Sequence, residues 1–140
     1  MRAVLSLLIA LTCLASEPAR AADEAAKLAA RATVERQIEA FRKDDAATAY
    51  AQAAPSIQGM FASPDTFIEM VRKGYGAVYR ARSFSIDRVE ESGEDGLSLG
   101  MTLQDENGID WTALYSLEKQ SDGTWRINGC RLVKAPGDNA

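Results

Sequence analysis

Between Gly108 and Lys134 apolar side chains recur at every second position, a spacing that suits an extended chain with one buried face. Ile109, Trp111, Ala113, Tyr115 and Leu117 alternate with Asp110, Thr112, Ser116 and Glu118, and Leu114 is the apolar exception on the outward set. Ser121, Asp122 and Gly123 then carry turn chemistry, because Asp tolerates and Gly readily adopts positive φ. The return strand, Thr124–Lys134, puts Trp125 and Ile127 on one face. Asn128-Gly129 suits a bulge, which would re-aim Cys130 and Leu132. Both tryptophans of the chain lie in this stretch. A sheet floor this aromatic needs a cover, and the N-terminal half is expected to supply it.

That half reads as helical. From Ala22 to Arg42 strong helix formers run without Gly or Pro, and Ala30, Val34, Ile38 and Phe41 form one apolar stripe. Lys43-Asp44-Asp45 breaks the pattern, and either Asp can cap a second helix, Ala46–Ala54, which Pro55 stops. Ser63-Pro64-Asp65 opens a third helix with Ser at N-cap and Pro at N1; Phe67, Met70 and Val71 are its inner face. Gly74 and Gly76 end it. Strands follow: one from about Arg82 with Phe84, Ile86 and Val89, and one with Leu97, Leu99, Met101 and Leu103 inward. Asn107-Gly108 marks a hairpin, expected as a type I′ turn, before the two strands already described. Helices followed by four consecutive strands predict an α+β fold, with N-terminal helices across one face of a curved, mainly antiparallel four-stranded sheet. A cone with a pocket between the two layers is the expected shape.

The first residues read differently. Arg2, the apolar run Ala3–Ala15 and the small residues of Pro18-Ala19-Arg20-Ala21 predict a signal peptide over 1–21, cleaved before Ala22. The run is well short of the ~20 residues that span a bilayer, so no stable membrane insertion is expected after cleavage. The domain is then 22–135, with a polar tail over 136–140, and the expected location is periplasmic or secreted. Cleavage removes Cys13 and leaves Cys130 alone, most simply as a buried, inert thiol. It leaves 14 Lys and Arg against 19 Asp and Glu, which argues against a nucleic-acid partner. The chain has no histidine, which excludes His-based triads and His-ligated zinc. No metal cluster, Gly-rich phosphate loop or nucleophile elbow is visible, so neither a metal nor a cofactor is expected.

Three blocks carry a resemblance: Val34–Phe61, Phe67–Phe84 (FIEMVRKGYGAVYRARSF) and Trp111–Leu132 (WTALYSLEKQSDGTWRINGCRL). They resemble a family of small exported bacterial proteins known as a domain of unknown function. Val34–Phe41, Asp44-Asp45 and the Ala-rich helix with Tyr50 are similar to the opening of the wider nuclear-transport-factor-2-like, or SnoaL-like, superfamily. The resemblance implies a cone-shaped fold that hosts isomerases, cyclases, hydrolases and many non-catalytic binding or dimerising domains. Isomerase-like members use an acid inside the cone with a Tyr or Asp donor, and dehydratase-like members commonly add His. Here His is lacking and alternation turns Asp110 and Glu118 away from the Trp111/Tyr115 face, so no catalytic residue is transferred.

The aromatics divide between core and pocket. Tyr75, Tyr79 and Tyr115 are the better pocket candidates, since a phenol wants a partner at a wet edge, and Trp111 shares the Tyr115 face. Residues 72–88 carry Arg72, Lys73, Arg80, Arg82 and Arg88 against Asp87, whereas 90–122 hold nine acids against Lys119. An anion-binding rim follows, with one of Arg80 and Arg82 facing the cone because an extended segment cannot point both inward. The candidate ligand-binding set is therefore Tyr75, Tyr79, Arg80, Arg82, Trp111 and Tyr115. The expected function is an exported, non-catalytic binding or scaffold module for a small apolar or anionic molecule. Its alternatives are a His-free isomerase- or hydrolase-like enzyme and a structural protein that pairs through its sheet as a homodimer.

Overall fold

In the computed structural model, which describes residues 18–136, the apolar stripe forms one side of a single long helix, α1 (Pro18–Arg42). Ala30, Val34 and Ile38 are fully buried and Phe41 nearly so. The residues read as a signal peptide, up to position 17 and including Cys13, lie outside the described residues, as does the tail from 137. Helix α1 begins at Pro18, ahead of the expected cleavage point before Ala22.

Asp45 caps α2 (Ala46–Ala51), its carboxylate accepting from the Thr48 N–H. This helix is shorter than the sequence suggests. Gln52 caps it with helical φ/ψ, and from Ala53 the chain lies along the sheet edge, where Ala54 N–H donates to Ile127 O at 2.7 Å and Ile127 N–H to Gln52 O at 2.9 Å. Two strand-type hydrogen bonds on a bare edge outweigh one further helical turn ahead of a proline. Pro55 then opens a short α3 (Pro55–Gln58) at its first position. Ser63 caps α4 (Pro64–Gly74), accepting from Thr66 N–H, and Phe67, Ile68 and Val71 are its buried face. Tyr75 ends α4 and precedes α5 (Gly76–Tyr79).

Four strands, β1 (Ser83–Glu91), β2 (Gly96–Gln104), β3 (Asp110–Lys119) and β4 (Trp125–Lys134), form one antiparallel sheet in chain order. Leu97, Leu99, Met101 and Leu103 of β2 face the helices. Their β3 partners Leu117, Tyr115, Ala113 and Trp111 lie on the same face. Two bulges keep the inner face apolar. In β1 the register shifts between Ile86 and Arg88, leaving Asp87 unpaired, so that Val89 points inward after Phe84 and Ile86. In β4 Leu117 pairs with Ile127 and Ser116 with Gly129, leaving Asn128 over. Trp125 and Ile127 face inward before this extra residue, and Cys130 and Leu132 after it.

The β2–β3 connection corrects the expected turn. Only Gly108 has positive φ, 77°, so a type I′ turn, which needs two such residues, is not formed. Gly108 N–H donates to Asp105 O at 3.0 Å and Asp105 N–H to Ile109 O at 2.9 Å, closing a three-residue loop. The Asp105 carboxylate explains the choice: it accepts from the N–H groups of Asn107 and Ile109, holding Asn107 in an ordinary conformation. Ile109 drops out of the strand and is partly exposed. The β3–β4 turn repeats the device, with Gly123 at φ 84° and the Asp122 carboxylate accepting from Thr124 N–H.

Candidate functional site

Helices α1, α4 and α5 cover the sheet but do not fill the space beneath them. A cavity of about 80 Å³ remains, with Phe41, Phe67, Val71 and Val78 on its helical side and Tyr115, Ile127 and Cys130 on its floor. Ile57, Met70 and Tyr75 keep partial exposure and mark the open side. Aromatic packing holds the helical wall: Phe67 lies 6.4 Å from Phe41, 5.7 Å from Tyr50 and 5.8 Å from Phe61, ring centre to ring centre.

Two buried polar side chains, Gln37 and Tyr115, reach this apolar space. Gln37 stands three residues after Val34 and four before Phe41, so the helical period places it on the buried stripe. Its Nε2 donates one of its two N–H groups to Ala49 O at 3.1 Å, and its carboxamide oxygen keeps its acceptor capacity. Tyr115 is 3% exposed, and its hydroxyl is buried with no hydrogen-bond partner among the described residues. Beside it stands the Cys130 thiol. Burial, and then the neighbouring thiol, push the Tyr115 pKa well above its ordinary value. Burial likewise pushes Cys130 up to about 12, the contact with Tyr115 opposing it only in part. Both groups are therefore neutral at physiological pH.

The six candidate residues do not form one site. Tyr75 and Tyr115 line the cavity, whereas Tyr79, Arg80 and Trp111 line a separate open groove between the α4–α5 corner and the β2–β3 turn. Arg82 is exposed and lies against that turn, its Nη1 3.6 Å from where a side chain at Gly108 would begin. Neither arginine faces the cavity. Arg80 donates to Phe41 O at 2.9 Å and to the Asp44 carboxylate at 2.7 Å, with its guanidinium 4.4 Å above the Tyr79 ring. Tyr79 is almost fully buried; its hydroxyl donates to Asp44 and accepts from Arg72 at 3.2 Å. Asp44, at φ 53°, is the keystone of this corner. The Tyr79 hydroxyl, then Arg80, hold its carboxyl below the usual range. These charges clamp the end of α1 to α5 rather than waiting for a ligand. Trp111 is similarly committed, donating Nε1–H to Asp105 at 2.9 Å.

Sequence reasoning passed over Gln37 and Asp44. The first was legible as a polar residue on an apolar stripe. The second had no local signal, because its partners lie 35 and 36 residues away. Among the described residues no group of three Cys, Asp or Glu stands close enough to hold a metal ion.

Helices over one face of a curved four-stranded meander, with a cavity between the layers, define the nuclear-transport-factor-2-like class of fold. Solved structures share it. A ketosteroid isomerase-like protein from Erwinia carotovora atroseptica is 13% identical, with a TM-score of 0.55 over 79% of this chain and 97% of that one. A nuclear-transport-factor-2-like protein of unknown function from Shewanella baltica is 14% identical, with a TM-score of 0.54 over 83% of this chain and 97% of that one. No curated protein matches the sequence. Residues 23–140 match the domain of unknown function DUF4864, and the chain belongs to that family.

Proposed function

We propose that this protein is an exported, non-catalytic binding module that holds a small apolar molecule in the cavity between its helices and its sheet. The observation that carries the reading is the cavity, an apolar hollow left open on one side in a domain small enough to have closed it. The lining supports binding over catalysis: it contains no Asp, Glu, Lys or Arg, and burial keeps Tyr115 and Cys130 neutral. The missing cation also favours an uncharged ligand over the anionic head first expected, because a buried charge needs a partner. Export is supported by the pattern of Arg2, the apolar run and the small residues before Ala22. Among the described residues no helix is long and apolar enough to cross a membrane.

Native mass spectrometry of protein purified from its own host should show a co-purifying small molecule. Ile57→Trp, which narrows the open side, should remove it. A wild-type protein that carries nothing, and takes up nothing from a library of neutral apolar compounds, refutes the reading.

Pairing through the sheet is the second reading, favoured by an outer face that no described element covers. Leu114 lies there between Gly100 and Arg131, beside the half-exposed Val133. Sedimentation equilibrium decides it: a monomer at high micromolar concentration rules pairing out.

A further inference from the structure

We infer that the cavity receives a neutral hydroxyl head group on an apolar tail, the head accepting a hydrogen bond from Tyr115 and donating one to Gln37. This rests on the binding reading above and adds the chemistry of the ligand. The two polar groups are complementary in kind. Tyr115 contributes an O–H with no partner, in a residue almost wholly buried, which is a costly state for a hydroxyl in an apolar setting. Gln37 gives one of its two N–H groups to Ala49 O and contributes its carboxamide oxygen as an acceptor. An alcohol accepts from Tyr115 and donates to the Gln37 carboxamide oxygen at once, whereas a ketone, an ether or a carboxylate has no hydrogen to give that oxygen.

Size sets the rest. A cavity of about 150 Å³ holds benzene, and this one is near 80 Å³. The enclosed part of the ligand is therefore a head of a few heavy atoms. The remainder leaves through the open side, past Ile57, Met70 and Tyr75. The Tyr115 hydroxyl itself is covered by its surroundings, with the Cys130 thiol its near neighbour. For the head group to reach it, that one short side chain turns aside.

Amide-detected NMR titrations with 1-hexanol, its methyl ether and hexanoate test the inference on the intact domain. Wild type should bind hexanol about 5-fold more tightly than the ether, the scale of one net hydrogen bond, and hexanoate weakest of the three. Tyr115→Phe keeps the ring and should weaken both hexanol and ether several-fold. Cys130→Ala removes the thiol and should tighten both. The inference is overturned if hexanoate binds as well as hexanol, or if the ether matches hexanol. It is equally overturned if Tyr115→Phe leaves hexanol affinity unchanged. Equal binding of all three probes leaves the cavity-binding reading standing while removing the hydroxyl head; binding of none removes both.

Discussion

Cys130 offers a measurement whose size follows from the structure. Its thiol has an ordinary value of 9.0 and is pushed up to about 12 by burial in the floor of the cavity. In the unfolded chain half the thiol ionises near pH 9; in the folded protein only about one part in a thousand does, as the difference between the two values requires. Native labelling by a thiol reagent at pH 9 should therefore run about 500-fold slower than labelling in denaturant, since only the thiolate attacks. The same gap acts on stability. The folded value is the raised one, so the contribution is fully present below pH 9 and is lost as pH climbs from 9 toward 12. Each pH unit removes up to about 1.4 kcal/mol, or near 2 kcal/mol by pH 10.5. Urea unfolding of wild type and Cys130→Ala from pH 7.5 to 10.5 isolates it, because the other ionising groups are common to both. The two stabilities should converge by that amount. Parallel curves, or native labelling at the unfolded rate, would show that the thiol is open to water and that the cavity floor is not as described.

Other consequences are simpler to check. Gly108→Val should cost more than ~1 kcal/mol, because φ 77° is strained for any β-branched residue; an unchanged melting midpoint would refute the loop assignment. Ser63→Ala should lose about 1 kcal/mol through the α4 cap, read in a urea curve. Asp44 has a folded pKa below its ordinary 3.8, so its contribution is present above that pH and fades as pH falls further. The clamp to Arg80 and Tyr79 should therefore weaken in acid, and Asp44→Asn should flatten the acid limb of the stability profile. If the amino terminus of secreted or periplasmic protein is sequenced, it should start at or near Ala22.

Most of the architecture was legible because its signals are periodic. The stripe on α1 and the alternation on β2 and β3 each repeat several times, so a single exception such as Leu114 does not blur them. The β4 bulge was legible too, since Asn-Gly in a strand has few other uses. What failed depended on partners far along the chain. Nothing within residues 46–54 announces that the helix ends at Ala51, because the competing acceptor and donor belong to Ile127. The arginines misled for the same reason. Charge counting placed them at a rim, but Asp44 and the Phe41 carbonyl, reached only through the tertiary fold, had already claimed Arg80. The cavity itself was visible only in outline. Its aromatic wall could be read, while the pairing of Tyr115 with Cys130 required the register of β3 on β4.

The strap of residues 52–54 along β4 has a bearing on the order in which the molecule can be assembled. Thr33 Oγ1 lies 3.0 Å from Trp125 O, Arg126 donates to Ala51 O, and Ala53 bridges Ile127, so the helical half of the chain is tied to residues 125–127 at three points. The neighbouring strands, by contrast, are joined to one another through short turns, and those contacts form early and cheaply. While the chain is being made, α1 and α2 are complete long before their anchor exists. Their apolar faces are not fully covered until the last strand emerges. A chain that stops at Thr124 would have three strands of the sheet and every helix, and would still lack the strand to which α1 and the 52–54 strap are tied.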